Sequence, residues 1–183
     1  MKATWVGITL NFSAVYAKCT RVGRRDLWRA MEEIAGGLDG PWIVARDFNV
    51  ISKAEERLGG ASPNLCNMEE FNDTVFNYLL SEVSFDGSAF TWTNGSLWQR
   101  LDRALANEAW GELFQTTKVF HLMRGRSDHA PLLIKCGSSM GRGSACRSLH
   151  VRRRDPKSLE EVRTCWRTPA PGVGMGGCFG KLS

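Results

Sequence analysis

Regular alternation of apolar and polar residues predicts a long β-strand over 4–16. Every even-numbered position from Val6 to Tyr16 is apolar or aromatic, whereas most odd-numbered positions are small or polar. A period of two residues is typical of a strand with one buried face. We therefore expect one uninterrupted strand close to the start of the chain.

A helix and a buried strand are predicted next. Leu27, Met31 and Ile34 recur at helical spacing, which indicates an amphipathic helix over 24–38 that ends at two glycines. The following apolar run, 41–50, has the length of a single buried strand. Strand, helix and strand in this order favour a crossover unit packed on a sheet.

Further patterns predict more helices and strands downstream. A capping-box spacing begins at Asn67, and the Asn-Gly pair at 94–95 is a strong hairpin signal. In chain order the predicted elements are a surface loop (52–65), a helix from Asn67 to about Leu80 with the apolar stripe Met68, Phe71, Val75 and Leu79, a turn (84–87), two hairpin strands (90–93 and 98–105), a short helix capped by Asn107, and two closing strands (117–122 and 131–136).

The composition is typical of a globular, intracellular protein. Of the 183 residues, 43% are hydrophobic and 23% are charged, and there is no run of about 18 apolar residues. The first residues lack the basic and apolar pattern of a secretory signal, so we expect a protein that is not secreted and does not enter a membrane. Six cysteines without a C-x-x-C pair argue against a zinc ribbon or a disulfide framework, and favour reduced thiols.

The net charge of +5 is concentrated at the end of the chain. Residues 1–136 hold 15 basic and 16 acidic side chains, whereas residues 137–183 hold 9 basic and 3 acidic ones. We therefore place a domain boundary near Gly137, between a domain over 1–136 and a basic tail rich in Gly, Arg and Pro over 137–183. Such a tail could bind nucleic-acid phosphates or be a solvated segment, and charge patterning leaves both open.

Three separated stretches carry side chains suited to phosphate chemistry. Asp47 and Asn49 lie two positions apart at the end of a predicted strand, so they are expected to share one face. Asp128 and His129 precede the last predicted strand, and Asp102 lies on the return strand of the hairpin. A carboxylate can hold a metal ion or accept a proton from water, and a histidine backed by a carboxylate can stabilise a phosphate oxygen.

Each stretch taken alone also has a structural explanation. An aspartate after an apolar strand is often a turn residue, and a histidine in a polar loop often has no further role. Trp92 could stack on a base, although a hairpin tryptophan more often belongs to a core. The arginines that could line a phosphate site are of a type that is usually solvated: Arg100, Arg103, Arg124 and Arg126.

Taken in order, these motifs resemble those of the endonuclease/exonuclease/phosphatase superfamily. That family has Tyr, Gly-Asp-Phe-Asn, Arg-Ile/Leu-Asp and Ser-Asp-His motifs in this order, and the counterparts here are Val15-Tyr16-Ala17, Asp47-Phe48-Asn49, Arg100-Leu101-Asp102 and Ser127-Asp128-His129. The chain looks closest to the endonuclease domain of plant LINE-type (non-LTR) retrotransposons. The stretches that are similar to that group are Val15 to Cys19, Phe90 to Gly95, Ser127 to Leu133, and a tail segment, 154–166, like the one that follows the endonuclease in those polyproteins.

The resemblance implies an α/β (α+β) fold, namely a DNase-I-like, four-layered α/β/β/α sandwich that here lacks its N-terminal half. It also implies Mg²⁺-dependent hydrolysis of DNA phosphodiester bonds, that is, strand nicking, with the nucleus as one intracellular location. DNA is the partner that it implies, and no protein partner is evident. Carried over position by position, it makes Asp47, Asn49, Asp102, Asp128, His129 and Tyr16 catalytic, with Asp47, Asn49 and Asp128 as metal ligands.

The resemblance also implies a role for each of these residues. Asp47 would activate or position the attacking water, with Asn49 holding it. His129 would stabilise charge on the phosphate while Asp102 orients the imidazole. Asp128 would help to hold the metal or the leaving group, and Tyr16 would contact the phosphate.

Two departures from the family pattern predict a site that is inactive alone. The family's domain starts about a hundred residues earlier, and that part carries an early Asn motif and the Glu that is the main metal ligand. Glu55-Glu56 and Glu69-Glu70 lie in a predicted loop and at a predicted helix start, so neither pair replaces that Glu. Arg46 stands where the family has glycine, and its cation would compete for Asp47.

We therefore expect a truncated, retrotransposon-type endonuclease domain. Two alternatives stay open at this point. One is a non-catalytic nucleic-acid-binding remnant that uses the basic tail, and the other is a phosphodiesterase or phosphatase of small molecules.

Overall fold

Short strands and three helices make up the part of the chain that the computed structural model describes, residues 1–5 and 7–137. In chain order the elements are β1 (Lys2–Trp5), β2 (Ile8–Tyr16), α1 (Arg21–Gly36), β3 (Trp42–Asp47), a 3₁₀ turn (Ala54–Glu56), β4 (Arg57–Leu58), α2 (Leu65–Asn77), β5 (Ser81–Glu82), β6 (Phe85–Gly87), β7 (Trp92–Thr93), β8 (Trp98–Gln99), β9 (Asp102–Ala106), α3 (Glu108–Leu113), β10 (Thr116–His121) and β11 (Leu132–Gly137). The predicted basic tail beyond Gly137 lies outside the described residues, so the domain boundary stays a prediction.

The strands form three sheets. The largest has the order β1-β2-β3-β9-β5, in which β3 runs parallel to β2 and antiparallel to β9. A second sheet has the order β11-β10-β6, and a small third sheet has the order β4-β8-β7. Because α1 connects the parallel strands β2 and β3, the predicted strand–helix–strand unit is confirmed.

Two apolar cores cover opposite faces of the largest sheet. On one face, Trp42 and Val44 of β3 pack with Trp28 and Phe71 of the two long helices. On the other face, Ile43 packs with residues of α3 and of the second sheet. Alternate residues of a strand point to opposite faces, so β3 is apolar on both. The described layers are therefore helices, the largest sheet and the second sheet.

The single strand predicted over 4–16 is wrong. The chain instead forms a hairpin of β1 and β2 that turns at Gly7, where the φ angle of 77° favours glycine. The prediction of one buried face fails too, because Leu10 belongs to the core beside the second sheet and Val15 to the core beside the helices. Tyr16, at the end of β2, is 77% exposed.

Side-chain caps decide where the two long helices begin. Helix α1 begins at Arg21 because the Thr20 side chain caps it, earlier than the apolar spacing predicts. Asn64 caps α2 by accepting a hydrogen bond from the backbone of Asn67, so the predicted capping box is wrong. Leu79 is 61% exposed, with a φ angle of 53°, because α2 ends before it.

Three later predictions are confirmed. The Asn94-Gly95 pair lies in the hairpin that joins β7 to β8. The Asn107 side chain caps α3, which buries Trp110. The two closing strands pair antiparallel as β10 and β11.

Two neighbouring predictions are wrong. The predicted turn at 84–87 contains β6, which pairs parallel with β10. The return strand predicted over 98–105 is divided into β8 and β9, which belong to different sheets. At the break, the backbone N–H groups of Leu101 and Asp102 donate to the Thr91 hydroxyl at 3.0 and 2.9 Å, so a side chain replaces a strand neighbour there.

The structure also shows the state of three cysteines and the character of the described helices. Cys19, Cys66 and Cys136 are free thiols on the surface. The other cysteines lie outside the described residues. Within 1–5 and 7–137, no helix combines the length and the apolar character that crossing a membrane requires.

Candidate active site

Three neighbouring strands bring two aspartates and a tyrosine to one edge of the largest sheet. Asp47, the last residue of β3, lies directly opposite Asp102, the first residue of β9. On the other side of β3, Tyr16 of β2 is in register with Asp47. Both aspartates are buried, at 1% and 3% exposure, whereas the Tyr16 side chain faces solvent. The sheet register therefore joins residues that lie far apart in the chain.

His129 reaches these aspartates from the loop before β11. Its Nδ1 donates to Oδ2 of Asp102 at 2.8 Å, and its Nε2 lies 3.9 Å from Oδ2 of Asp47. At this distance the two atoms form no direct hydrogen bond, so Nε2 is available to a ligand that approaches from solvent. Asp102 fixes the ring so that Nε2 faces Asp47.

A hydrogen bond and a short bridge hold the histidine loop against the hairpin. The backbone N–H of Ala130 donates to the Thr91 carbonyl at 2.7 Å, and Trp92 forms an isolated β-bridge with His129. Thr91 also accepts the backbone N–H of Asp102 through its hydroxyl. One buried threonine thus positions both members of the His129–Asp102 pair.

Asn49 fixes the carboxylate of Asp47. Its backbone N–H donates to Oδ1 and its side-chain Nδ2 donates to Oδ2, both at 2.8 Å. The same Nδ2 donates to the carbonyl of Ala17 at 2.7 Å. Asn49 has a φ angle of 49°, outside the strand, so a tight turn rather than strand alternation brings the two side chains together. Phe48 points the other way into the core beside the helices, as predicted.

Burial sets the electrostatics of Asp47. Burial raises the pKa of the Asp47 carboxyl, the Asn49 amide counteracts part of this effect, and the charge of Asp102 raises the pKa further. A carboxylate with a raised pKa is a better proton acceptor from water than an ordinary surface aspartate. Asp47 therefore has the environment of a general base.

Asp128 lies outside this group. Its carboxylate accepts a hydrogen bond from the indole Nε1 of Trp92 at 3.0 Å, and this bond lowers the pKa of Asp128. The cluster that could hold a metal ion consists of Asp47, Asp102 and His129, whose ligand atoms lie within 4.8 Å of one another. This set differs from the predicted ligands, which were Asp47, Asn49 and Asp128.

The donor set of this cluster does not fit a resident Mg²⁺ ion. Magnesium demands octahedral oxygen ligation and seldom takes nitrogen. Here one of the three donors is an imidazole, and the described residues of the cluster supply carboxylate oxygens from two side chains. Two carboxylates and an imidazole suit a nitrogen-tolerant ion such as Zn²⁺ or Mn²⁺ better.

An apolar groove opens beside His129. It has a volume of about 470 Å³, and its lining includes the polar residues Asp102 and Arg46. Its apolar wall is formed by both sheets, with Phe12, Ala14, Ile43, Ala45, Leu132 and Ile134 among the lining residues. The lining of the groove thus combines polar residues of the site with apolar side chains from the two sheets.

Several residues that hold the site together carry no sequence motif. The role of Thr91 depends on a hydroxyl that meets two backbone amides, and no spacing rule indicates it. Arg24 is buried, and its guanidinium donates to the carbonyls of Asn49 at 3.1 Å and of Cys19 at 2.8 Å. Arg24 lies on the apolar face of the predicted first helix, and this position was the signal that could have indicated a buried role for its side chain.

Arg46 has a backbone conformation that favours glycine. Its φ angle is 111°, although its side chain is exposed. Strain of this kind costs of the order of 1–3 kcal/mol, and glycine brings an entropic cost of about 0.5–1 kcal/mol. We expect Arg46→Gly to raise the free energy of unfolding by about 1 kcal/mol in urea titrations. Arg46→Ala, which removes the charge but keeps the strain, should show no gain, and an equal gain would contradict this explanation.

Comparisons with known proteins support the fold. No protein-family model matches the chain, and no curated protein matches it either. Among solved structures, it is similar to the endonuclease domain of TRAS1, a telomere-specific non-LTR retrotransposon, with a TM-score of 0.56 and 12% identity over 75% of this chain and 62% of that chain. A beta toxin 275-280 from Staphylococcus aureus gives a TM-score of 0.49 and 15% identity, over 73% of this chain and 55% of that chain.

At these identities the similarity concerns the fold. The fold-class prediction is confirmed: the described residues form a partial, DNase-I-like α/β sandwich of sheets and helices. This chain spans less than two thirds of the length of either solved structure.

Proposed function

We propose that this chain carries the phosphate-facing part of a DNA-nicking endonuclease site, and that alone it binds a phosphodiester without cleaving it at a measurable rate in Mg²⁺. The observation that carries the proposal is the 3.9 Å gap between Nε2 of His129 and Oδ2 of Asp47, with Asp102 behind the imidazole. This gap has a donor on one side and a buried acceptor on the other. A phosphodiester oxygen would accept from the histidine, and the attacking water would donate to the carboxylate.

Each side chain has a role that its contacts support. Nε2–H of His129 donates to a non-bridging phosphate oxygen, and Asp102 orients the ring by accepting Nδ1–H. Asp47 accepts a proton from the attacking water, while Asn49 holds its carboxylate in place. Tyr16, exposed beside Asp47, is placed to contact the DNA backbone.

The lack of turnover in Mg²⁺ follows from the donor set. The cluster offers two carboxylates and one imidazole, which is a poor set for a hard cation that takes oxygen ligands. The strained Arg46 also places a cation next to Asp47. Binding of a phosphate oxygen to His129 needs no metal ion, so neither the donor set nor the Arg46 cation prevents it.

Plasmid nicking and oligonucleotide binding test the two parts of this proposal separately. Wild-type protein in Mg²⁺ should leave supercoiled plasmid intact, as should Asp47→Ala. His129→Ala should weaken binding of a short DNA duplex by about 10- to 150-fold, since a charge-assisted hydrogen bond contributes about 1.5–3 kcal/mol. Nicking by the wild type that Asp47→Ala abolishes would overturn the lack of turnover, and unchanged binding in His129→Ala would overturn the phosphate site.

The apolar groove favours a second candidate, a phosphodiesterase of small molecules. Its volume of about 470 Å³ lies in the range of small-ligand sites, and His129 is among its lining residues. A substrate of this class would place its phosphate at His129 and an apolar group against the apolar lining residues of the groove. Hydrolysis of bis(p-nitrophenyl) phosphate that disappears in His129→Ala would favour this candidate over DNA nicking.

A further inference from the structure

Next to Asp102 lies a cluster of four charged side chains, three of which are buried. Glu56 pairs with both Arg100 and Arg103, and Glu82 pairs with the same two arginines. The side chains of Arg103, Glu56 and Arg100 are 1%, 4% and 6% exposed, whereas that of Glu82 is 32% exposed. Two carboxylates balance two guanidinium groups, which satisfies the requirement that buried charges be paired.

Glu56 also holds the segment that directly follows Asn49. Its Oε2 accepts the backbone N–H of Ser52 at 2.7 Å, and its Oε1 accepts the Ser52 hydroxyl at 2.7 Å. Arg103 adds a hydrogen bond to the carbonyl of Val50 at 3.3 Å. The conformation of residues 50–56 therefore depends on this one carboxylate and its partners.

The two arginines stand on either side of the pair Leu101-Asp102. Arg103 donates to the carbonyl of Arg100 at 2.9 Å, and the backbone N–H of Phe48 donates to the carbonyl of Leu101 at 3.0 Å. The strand end that carries Asp102 is thus connected to the segment that carries Asn49 through the Glu56 cluster.

We infer that Glu56 is a positioning residue of the site, which sets the Asp47–Asn49 turn against the Asp102–His129 pair. Its effect on phosphate binding rests on the proposed function, whereas its effect on geometry does not. Glu56 does not touch the gap itself. It acts through Ser52, Arg100 and Arg103.

Glu82 offers a matched control. Glu56→Gln and Glu82→Gln each remove one negative charge from the same pair of arginines. Of the two glutamates, Glu56 alone contacts Ser52, so only Glu56→Gln should loosen the segment after Asn49. A role through the two arginines alone would change the Asn49 segment in both variants, less so in Glu82→Gln because Glu82 is more exposed.

The test is hydrogen exchange of the Asn49 side-chain amide, followed by NMR in the full-length protein. In the wild type this amide donates to Asp47 and to the carbonyl of Ala17, so its exchange should be slow. Exchange should become about tenfold faster in Glu56→Gln and stay unchanged in Glu82→Gln, because local opening sets the rate. Equal rates in Glu56→Gln and wild type, or the same increase in both variants, would overturn the inference.

Ser52→Ala provides a milder variant if Glu56→Gln does not fold. It removes the hydroxyl contact and keeps the backbone contact, so exchange at Asn49 should increase by a smaller factor. No increase in Ser52→Ala would then count against the inference. Binding of the DNA duplex to the same variants separates the two claims: absent binding by the wild type would reject the proposed function, and the exchange result would still decide the role of Glu56.

Discussion

Thr91→Val is expected to destabilise the protein by about 2–6 kcal/mol, because it leaves two buried amides without partners at about 1–3 kcal/mol each. Thr91 is fully buried, and its hydroxyl accepts the backbone N–H groups of Leu101 and Asp102. Valine has nearly the same shape but cannot accept a hydrogen bond. Urea titration of the two proteins measures the difference directly.

Thr91→Ser is the control for this prediction. Serine keeps the hydroxyl and loses one methyl group, so its cost should be that of a small cavity, about 1 kcal/mol. If valine and serine gave equal losses, the hydroxyl would not be the reason. A loss below 1 kcal/mol for valine would contradict the role assigned to these two bonds.

Lowering the pH is expected to reduce the free energy of unfolding by about 3 kcal/mol as Glu56 becomes protonated. Each unit of difference between the folded and unfolded pKa contributes about 1.4 kcal/mol. Burial alone would raise the pKa of Glu56, but the charge and hydrogen bond of Arg103, the Ser52 amide and the charge of Arg100 bring it down to about 2 from 4.5. A carboxyl whose pKa is depressed by folding stabilises the folded state above its unfolded pKa. This stability is lost as the pH falls from about 4.5 to about 2.

Comparison with Glu56→Gln isolates this contribution. The variant should be less stable than wild type at neutral pH, and the difference should shrink as the pH falls towards 2. Asp47 acts in the opposite direction, because burial raises its pKa and protonation at low pH then favours the folded state. Both proteins retain Asp47, so it cancels in the comparison. A difference that does not depend on pH would contradict the pairing of Glu56 with its arginines.

Local signals predicted the later elements of the fold well. The Asn94-Gly95 hairpin, the Asn107 cap and the pairing of β10 with β11 are local or nearly local features, and the structure confirms them. The first strand failed because Gly7 turns the chain back. Alternation of residue types cannot distinguish one long strand from two that pair as a hairpin.

The residue types of the site and the contact between Asp102 and His129 were predictable, but the other contacts were not. The structure brings together Asp47, Asn49, Asp102 and His129, and it leaves Asp128 bonded to Trp92. Their order along the chain suggested a common site, whereas the turn at Asn49 depends on a positive φ angle. The buried partners of Glu56 could not be predicted, because ion pairs between distant residues follow from sheet register and not from spacing.

The outermost strands have a consequence for handling the protein. Within the described residues, β1 and β11 each border a sheet on one side and have a free backbone edge on the other. Such edges can pair with a second molecule, and charged lysines such as Lys2 and Lys135 oppose this through repulsion. Salt screens charge repulsion over a length of about 8–10 Å at physiological ionic strength. Concentrated samples should therefore stay monodisperse longest in buffers of low ionic strength.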